Sequence, residues 1–262
     1  MLPFLQFGFL KIPMYGLCIA CGSALGIWLF CRWAEKWNIT KDDAFNACLC
    51  AAFGVMLGGK LLYLFVSRHY IGEHLDFYFG SLQGFISLVG NGFVFYGSLI
   101  GGIAAVWLYC RIKHIGFIHF VDKLIVVVPL IHGFGRLGCF CAGCCYGIPY
   151  NGIFKVMFAE NSFCGVHEYL FPVQLLEAIL LFCLFGIMVF LSRKNKKDGF
   201  LIGSYLIMYP VIRFCLEYLR FDAERGSLLM FSTSQWISIA LLICGVILLL
   251  KNNKNVNQIQ KK

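Results

Sequence analysis

The sequence predicts an all-α polytopic membrane protein with seven transmembrane helices, the N-terminus outside and the C-terminus in the cytoplasm. Three observations carry this expectation. Hydrophobic residues make up 60% of the 262 positions and charged residues only 13%, about half the share usual in a soluble domain. Apolar runs near the roughly 20 residues that a bilayer core demands recur along the chain. Basic residues collect in every second connection between those runs, as the positive-inside rule requires.

The runs follow in order. The first extends from about Met14 to Cys31, and the second from about Ala44 to Val66 with Lys60 inside it. The third covers about Phe93 to Cys110, and the fourth about Phe120 to Phe140 with Arg136 near its end. The fifth covers about Pro172 to Ser192 with Glu177, the sixth about Phe200 to Leu219 with Arg213 and Glu217, and the seventh about Ser234 to Leu250. Arg32, Lys36 and Lys41 follow the first run, Arg111 and Lys113 the third, the RKNKKD segment the fifth, and Lys251 and Lys254 the seventh. Those connections are then cytoplasmic. Segments 67–92, 141–171 and 220–233 are external. Within the first of these, SLQGFISLVGNGF at 81–93 is apolar but short and broken by glycine, which suits a re-entrant or interfacial element. One membrane domain over 1–250 accounts for the chain, with 251–262 a polar cytoplasmic tail expected to lack regular structure. MLPFLQFGFLKIP has neither a basic start nor a small-residue cleavage site, so a cleaved signal peptide is not expected. The net charge of +9 is explained by topology, and no nucleic-acid partner is implied.

Ionisable groups inside membrane helices are costly and usually face protein or water. Arg213 and Glu217 stand four apart, with Arg220 three further on, so they share a helix face. Two readings stay open: an intrahelical ion pair that holds helix six in place, or a cationic pocket for an anion, since converging guanidinium forks suit a phosphodiester. Arg136 is framed by Gly133, Gly135 and Gly138. It either snorkels to the interface or joins such a pocket. Lys60 and Glu177 are candidates for a second ion pair across helices. Tyr96 heads a helix whose glycines, Gly97, Gly101 and Gly102, offer a close-packing face.

The stretch GRLGCFCAGCCYG at 135–147 crowds Cys139, Cys141, Cys144 and Cys145 into seven positions. Zinc motifs usually separate two cysteine pairs by a dozen or more residues. Four ligands so close would strain the loop, so no metal is expected, although Cys164 and His167 are possible additions. A disulfide on the outer face, or packing, are the other readings.

Seven blocks in order resemble the prolipoprotein diacylglyceryl transferase family over nearly the whole chain. These are MYGL (14–17), GVMLGGKLLY (54–63), NGFVFYGSLIGG (91–102), PLIHGFGRLGCFCAGCCYG (129–147), HEYLFPVQLLEA (167–178), GFLIGSYLIMYPVIRFCLEYLRFDAE (199–224) and TSQWISI (233–239). The fourth is similar to the family signature Gly-Arg-X-Gly-Asn-Phe-X-Asn-Gly-Glu-X-X-Gly. The resemblance implies transfer of the diacylglyceryl group of phosphatidylglycerol onto the lipobox cysteine of prolipoproteins, in the bacterial plasma membrane. The partners would be that lipid and the prolipoprotein signal peptide, and no cofactor is implied. It also implies roles. Arg136 and Arg213 match the family's essential arginines, Glu217 and Arg220 match their companions, and Tyr15, Lys60, Gln174 and Glu177 fall on matched positions. The chain departs from the family pattern at Tyr96, where a histidine proposed as base stands, and at Ser98, Cys139, Ala142, Cys144 and Phe171. Cys139 and Cys144 replace the signature Asn and Glu. His132, four before Arg136 and on its face, is the expected substitute base beside Tyr96. The alternatives are a paralogue that uses the same lipid with another acceptor, and a membrane thiol or metal protein on the same scaffold.

Overall fold

The structure, a computed structural model, describes residues 3–7, 10–90, 92–158, 168–194, 197–221, 227–228 and 231–259. Cys164 and His167 lie outside them. Among the described residues, six helices are long and apolar enough to cross a membrane, and a bent pair makes a seventh span if counted as one. The chain forms two compact units, residues 33–120 and residues 1–32 together with 121–262.

The first unit is built on α2 (Lys41–Val66) and α6 (Phe95–Lys113). Thr40 caps α2: its hydroxyl oxygen accepts the Asp43 N–H at 3.0 Å, and the hydroxyl donates to the Asp43 carboxylate at 2.7 Å. This satisfies one of the orphan amides of a helix start. The Tyr109 hydroxyl donates to the other Asp43 oxygen at 2.8 Å and ties α6 to α2. Along the seam, Gly54 and Gly58 of α2 meet Gly97 and Gly101 of α6. A Cβ on any of the four would collide with a carbonyl of the facing helix. Lipid tails are as apolar as side chains, so membrane helices gain by backbone proximity, and small residues four apart permit it.

Segment 67–92, expected as an external loop, contains three short helices, α3 (Arg68–Glu73), α4 (Leu75–Gly80) and α5 (Leu82–Gly90). The last is the short element expected over 81–93. The Lys60 ammonium donates to the carbonyls of Leu88 and Gly92, beside the rings of Tyr63 and Phe93. It thus sits at the negative end of α5.

The second unit opens with a hairpin of β1 (Phe4–Phe7) and β2 (Leu10–Pro13) and continues into α1 (Met14–Ala34). The expected fourth span, Phe120 to Phe140, is not one straight helix. It breaks into α7 (Phe117–Leu124) and α8 (Val128–Ala142), bent by 47°. Pro129 lies in the first turn of α8. Proline lacks the N–H that would continue α7 but fits a helix start, where that donor has no partner. Then come α9 (Val173–Lys194), α10 (Phe200–Glu217), the short pair β3 (Ser227–Leu228) and β4 (Phe231–Ser232), and α11 (Thr233–Ile259). α11 continues into the polar tail as far as Ile259, where an irregular segment is expected from the sequence. Extending a helix already nucleated adds one hydrogen bond per residue fixed.

Glycine again sets the packing. Added Cβ atoms at Gly22 and Gly26 of α1 would strike Phe134 and Ile131 of α8, and one at Gly138 of α8 would press on the Tyr15 backbone and Cys18. A buried pair in α7, Asp122 and Lys123, closes at 2.8 Å, and Asp122 also accepts the Ile202 N–H at 3.0 Å in the first turn of α10. A carboxylate there satisfies an orphan donor and complements the helix dipole.

Substituting Gly58 or Gly101 by Leu is expected to lower the melting temperature of the detergent-purified protein, with a cost of about 1–3 kcal/mol or more from overpacking. Gly72→Ala, where an added Cβ meets nothing within 4 Å, is expected to leave it unchanged.

Candidate functional site

In the unit of residues 1–32 and 121–262, five charged side chains act on one another. Arg136 comes from α8, Glu177 from α9, Arg213 and Glu217 from α10, and Arg220 from the turn that follows α10. The Arg136 Nε lies 3.0 Å from the Glu177 carboxylate, and Glu177 is only 1% exposed. The Arg213 guanidinium lies 2.6 Å from Glu217, four residues along its own helix. Both pairs are close in distance, yet Arg136 Nε, Glu177 Oε1 and Glu217 Oε2 make no well-aligned hydrogen bond among the described residues. They are ion pairs held by charge, with donor directions left over. Arg213 Nη1 and Gln174 Oε1 are also buried without a hydrogen bond among the described residues. Buried polar atoms in native proteins are nearly always satisfied, so each such group calls for a further partner, be it water, ion or substrate. Glu217 is steadied from its other side by the Ser232 hydroxyl, which donates at 2.7 Å.

Three arginines stand against two glutamates, so these five residues carry one net positive charge. Aromatic rings wall them. Tyr209 stacks on Tyr205 with ring centroids 5.4 Å apart, and His132 packs on Tyr209 at 5.4 Å. His132 is near enough to feel the charge of both Arg136 and Arg213.

The cysteine stretch follows directly from α8. Gly143 adopts the left-handed conformation (φ 76°) that ends helices, and the N–H groups of Gly143 and Cys144 bond back to the Cys139 carbonyl at 2.9 and 3.1 Å. This is a Schellman-type cap, and it folds Cys144 over Cys139. Cys145 is also left-handed (φ 59°), uncommon for a residue with a side chain. The amide of Gln174, itself 1% exposed, donates to the Cys144 carbonyl at 2.8 Å. The next residues are stitched to the rest of the site: Gly147 N–H bonds to Phe171 O, Ile148 N–H to Leu219 O, and Phe221 N–H to Tyr146 O. This stitching sets Arg220 opposite Gly147. Hydrogen bonds from the Cys139 and Cys144 thiols hold the Cys145 thiol well below the usual thiol range, with Arg220 and Arg136 adding to the effect. Hydrogen bonds with Cys139 and Cys145, together with burial, push the Cys144 thiol up.

The structure therefore brings together Arg136, Gln174, Glu177, Arg213, Glu217, Arg220, His132 and Cys139. Tyr15, on the first turn of α1, feels the charge of Arg136 and of the three cysteines nearby. Lys60 and Tyr96 belong to the other unit. Lys60 holds carbonyls at the end of α5, and Glu177, its suggested partner, takes Arg136. Tyr96 is 50% exposed, with its ring against Phe95. Sequence reasoning missed Tyr205, Tyr209, Ser232 and the Asp122–Lys123 pair. A signal for the last was present, since an adjacent acid and base sit within the fourth apolar run.

The helices and their apolar lengths define a polytopic helical membrane protein, with a buried, net-cationic cluster at the ends of three helices. The family is specific: residues 3–251 match the prolipoprotein diacylglyceryl transferase family, and the chain belongs to it. It is 38% identical over 237 residues to the phosphatidylglycerol–prolipoprotein diacylglyceryl transferase of Clostridium tetani, covering 90% of this chain and 92% of that one. It is 34% identical to the second such transferase of Clostridium perfringens, covering 91% and 90%. To that of Clostridioides difficile it is 33% identical, covering 96% of each.

Because Glu177→Ala removes the carboxylate paired with the buried Arg136, it is expected to cost about 3–5 kcal/mol, the range for breaking a buried pair by removing one partner. Thermal unfolding of the purified variant checks this.

Proposed function

We propose that Arg136, Arg213 and Arg220 bind the phosphodiester of phosphatidylglycerol, with Glu177 and Glu217 orienting the guanidinium groups. The protein transfers the diacylglyceryl group of phosphatidylglycerol to a prolipoprotein, the activity of its family. The observation that supports the binding role is the single excess positive charge of the cluster, together with the buried, unbonded Arg213 Nη1. A phosphodiester is a monoanion with several acceptor oxygens and matches both features.

In the reaction the lipobox thiolate attacks the glyceryl carbon attached to the phosphate oxygen. The carbon–sulfur bond forms, the carbon–oxygen bond breaks, and its electron pair leaves with glycerol phosphate. Charge builds on the departing phosphate, and preorganised arginines in a water-poor site are well suited to stabilise it. The acceptor is a thiol, which ionises near pH 8.5, so the demand on a base is modest. His132 is the proposed base. Gln174 and Tyr15 flank the donor site and Cys139 lines it; Lys60 is kept as a substrate-binding residue and Tyr96 as a catalytic one. The N-terminus lies outside and the C-terminal tail in the cytoplasm of a bacterial plasma membrane, which the basic connections support. The prolipoprotein signal peptide is then met at the outer leaflet.

The test is complementation of a strain depleted of its own transferase. The wild-type chain is expected to restore prolipoprotein modification. Arg136→Ala and Arg213→Ala are each expected to lower transfer by about 10²–10³-fold, the effect of losing one transition-state donor. A chain present in the membrane that fails to rescue would overturn the reading. His132→Ala is expected to slow transfer, and unchanged activity would remove it from the role of base.

A further inference from the structure

The Sγ atoms of Cys139, Cys144 and Cys145 all lie within 4.8 Å of one another. The Schellman turn at Gly143 and the left-handed Cys145 create this convergence, because an extended run would splay the three apart. A non-glycine residue in that conformation carries a backbone cost, and such outliers cluster where a ligand or mechanism needs them. Zinc–sulfur bonds are about 2.3 Å, so thiolates around one tetrahedral ion stand about 3.8 Å apart. The cluster needs to contract by about an ångström at most.

We propose that Cys139, Cys144 and Cys145 hold one thiophilic divalent cation of the zinc class, and that its fourth position receives the acceptor cysteine of the prolipoprotein. The second half rests on the transferase reading. Several features favour the assignment. Three thiolates and a dication carry one net negative charge, and Arg136 and Arg220, whose charges act on Cys145, offset it. Three protein ligands with one position open is the arrangement of catalytic rather than structural zinc. A thiol that coordinates such an ion loses its proton outright. The acceptor R–SH would release its proton to water or His132 on binding and stay as a metal thiolate. Its sulfur lone pair then forms the bond to the glyceryl carbon while the carbon–oxygen bond breaks toward glycerol phosphate. The neutral thioether is a weaker ligand and dissociates. No electron is gained or lost. In the resembled signature the positions of Cys139 and Cys144 hold Asn and Glu, so this chain gains a soft ligand set where two hard groups are replaced.

Cobalt(II) is the probe, added to the reduced, metal-stripped full-length protein in detergent. One cobalt ion per chain is expected, with sulfur-to-cobalt charge-transfer absorption and the visible bands of a tetrahedral site. Cys139→Ser, Cys144→Ser and Cys145→Ser are each expected to weaken binding by at least the 10–100-fold that follows loss of outer-shell partners alone. Cys141→Ser is expected to retain it. Binding that survives all three substitutions, or that lacks sulfur charge transfer, overturns the site. A peptide carrying the lipobox cysteine should then shift the cobalt spectrum toward four sulfurs, and its serine counterpart should not. Identical spectra with the two peptides, or loss of a ligand in Cys164→Ser, would mean a site without an acceptor position and overturn the second half. None of these readings requires transfer to occur. Failed complementation with intact cobalt binding therefore points to the transferase assignment, and the reverse result points to the metal.

Discussion

Arg136 and Glu177 meet at 3.0 Å between two largely apolar helices, α8 and α9, and much of the second unit is arranged around that meeting. An isolated charge in such surroundings costs several kcal/mol. Coulombic attraction offsets this only when the partners are brought close. Closeness here depends on the glycines: Gly133 leaves room for the Phe182 ring of α9, and Gly138 lets α1 pass at backbone distance. The same pair is poorly aligned for hydrogen bonding, so it leaves guanidinium donors in reserve. A geometry that satisfied both groups fully would be more stable and would have less to offer a phosphate.

The cysteines change the character of the site beyond their number. A glutamate at position 144, as in the resembled signature, would bring the five-residue cluster to electrical balance. A cysteine there brings no carboxylate, and Gln174 binds the Cys144 carbonyl. Sulfur is also a poor partner for guanidinium but a good one for soft ions. Hard-anion recognition by arginine and soft-ligand chemistry by thiol therefore stand next to each other.

The helices were legible because bilayer thickness imposes length and composition on any segment that crosses it. Five of the seven expected spans coincide with helices to within a few residues. The break before α8 was harder to see, since VVVPL is apolar throughout and hydropathy passes over it. Pro129 was the only local sign. Arg136, Arg213, Glu217 and Arg220 were legible as costly charges in apolar runs, and resemblance gave them their company. Who pairs with whom was not legible: Glu177 has two basic candidates, Lys60 and Arg136, and only tertiary packing chooses. The spacing of the sulfurs was not legible either: the glycine-capped turn at 143 converts close sequence spacing into close sulfur spacing.

The stitch between Gly147 and Arg220 has a consequence for biosynthesis. The chain emerges from the N-terminal side, so α8 with Arg136 is made before Glu177, and Arg220 later still. During that interval the arginine has no carboxylate to neutralise it, and Gly147 has no Arg220 backbone to bridge to. The helix must wait in a hydrated or protein-lined setting until α9 and α10 arrive. The site is thus completed by the last third of the chain, and a truncated product inserts a bare cation where the finished protein has a paired one.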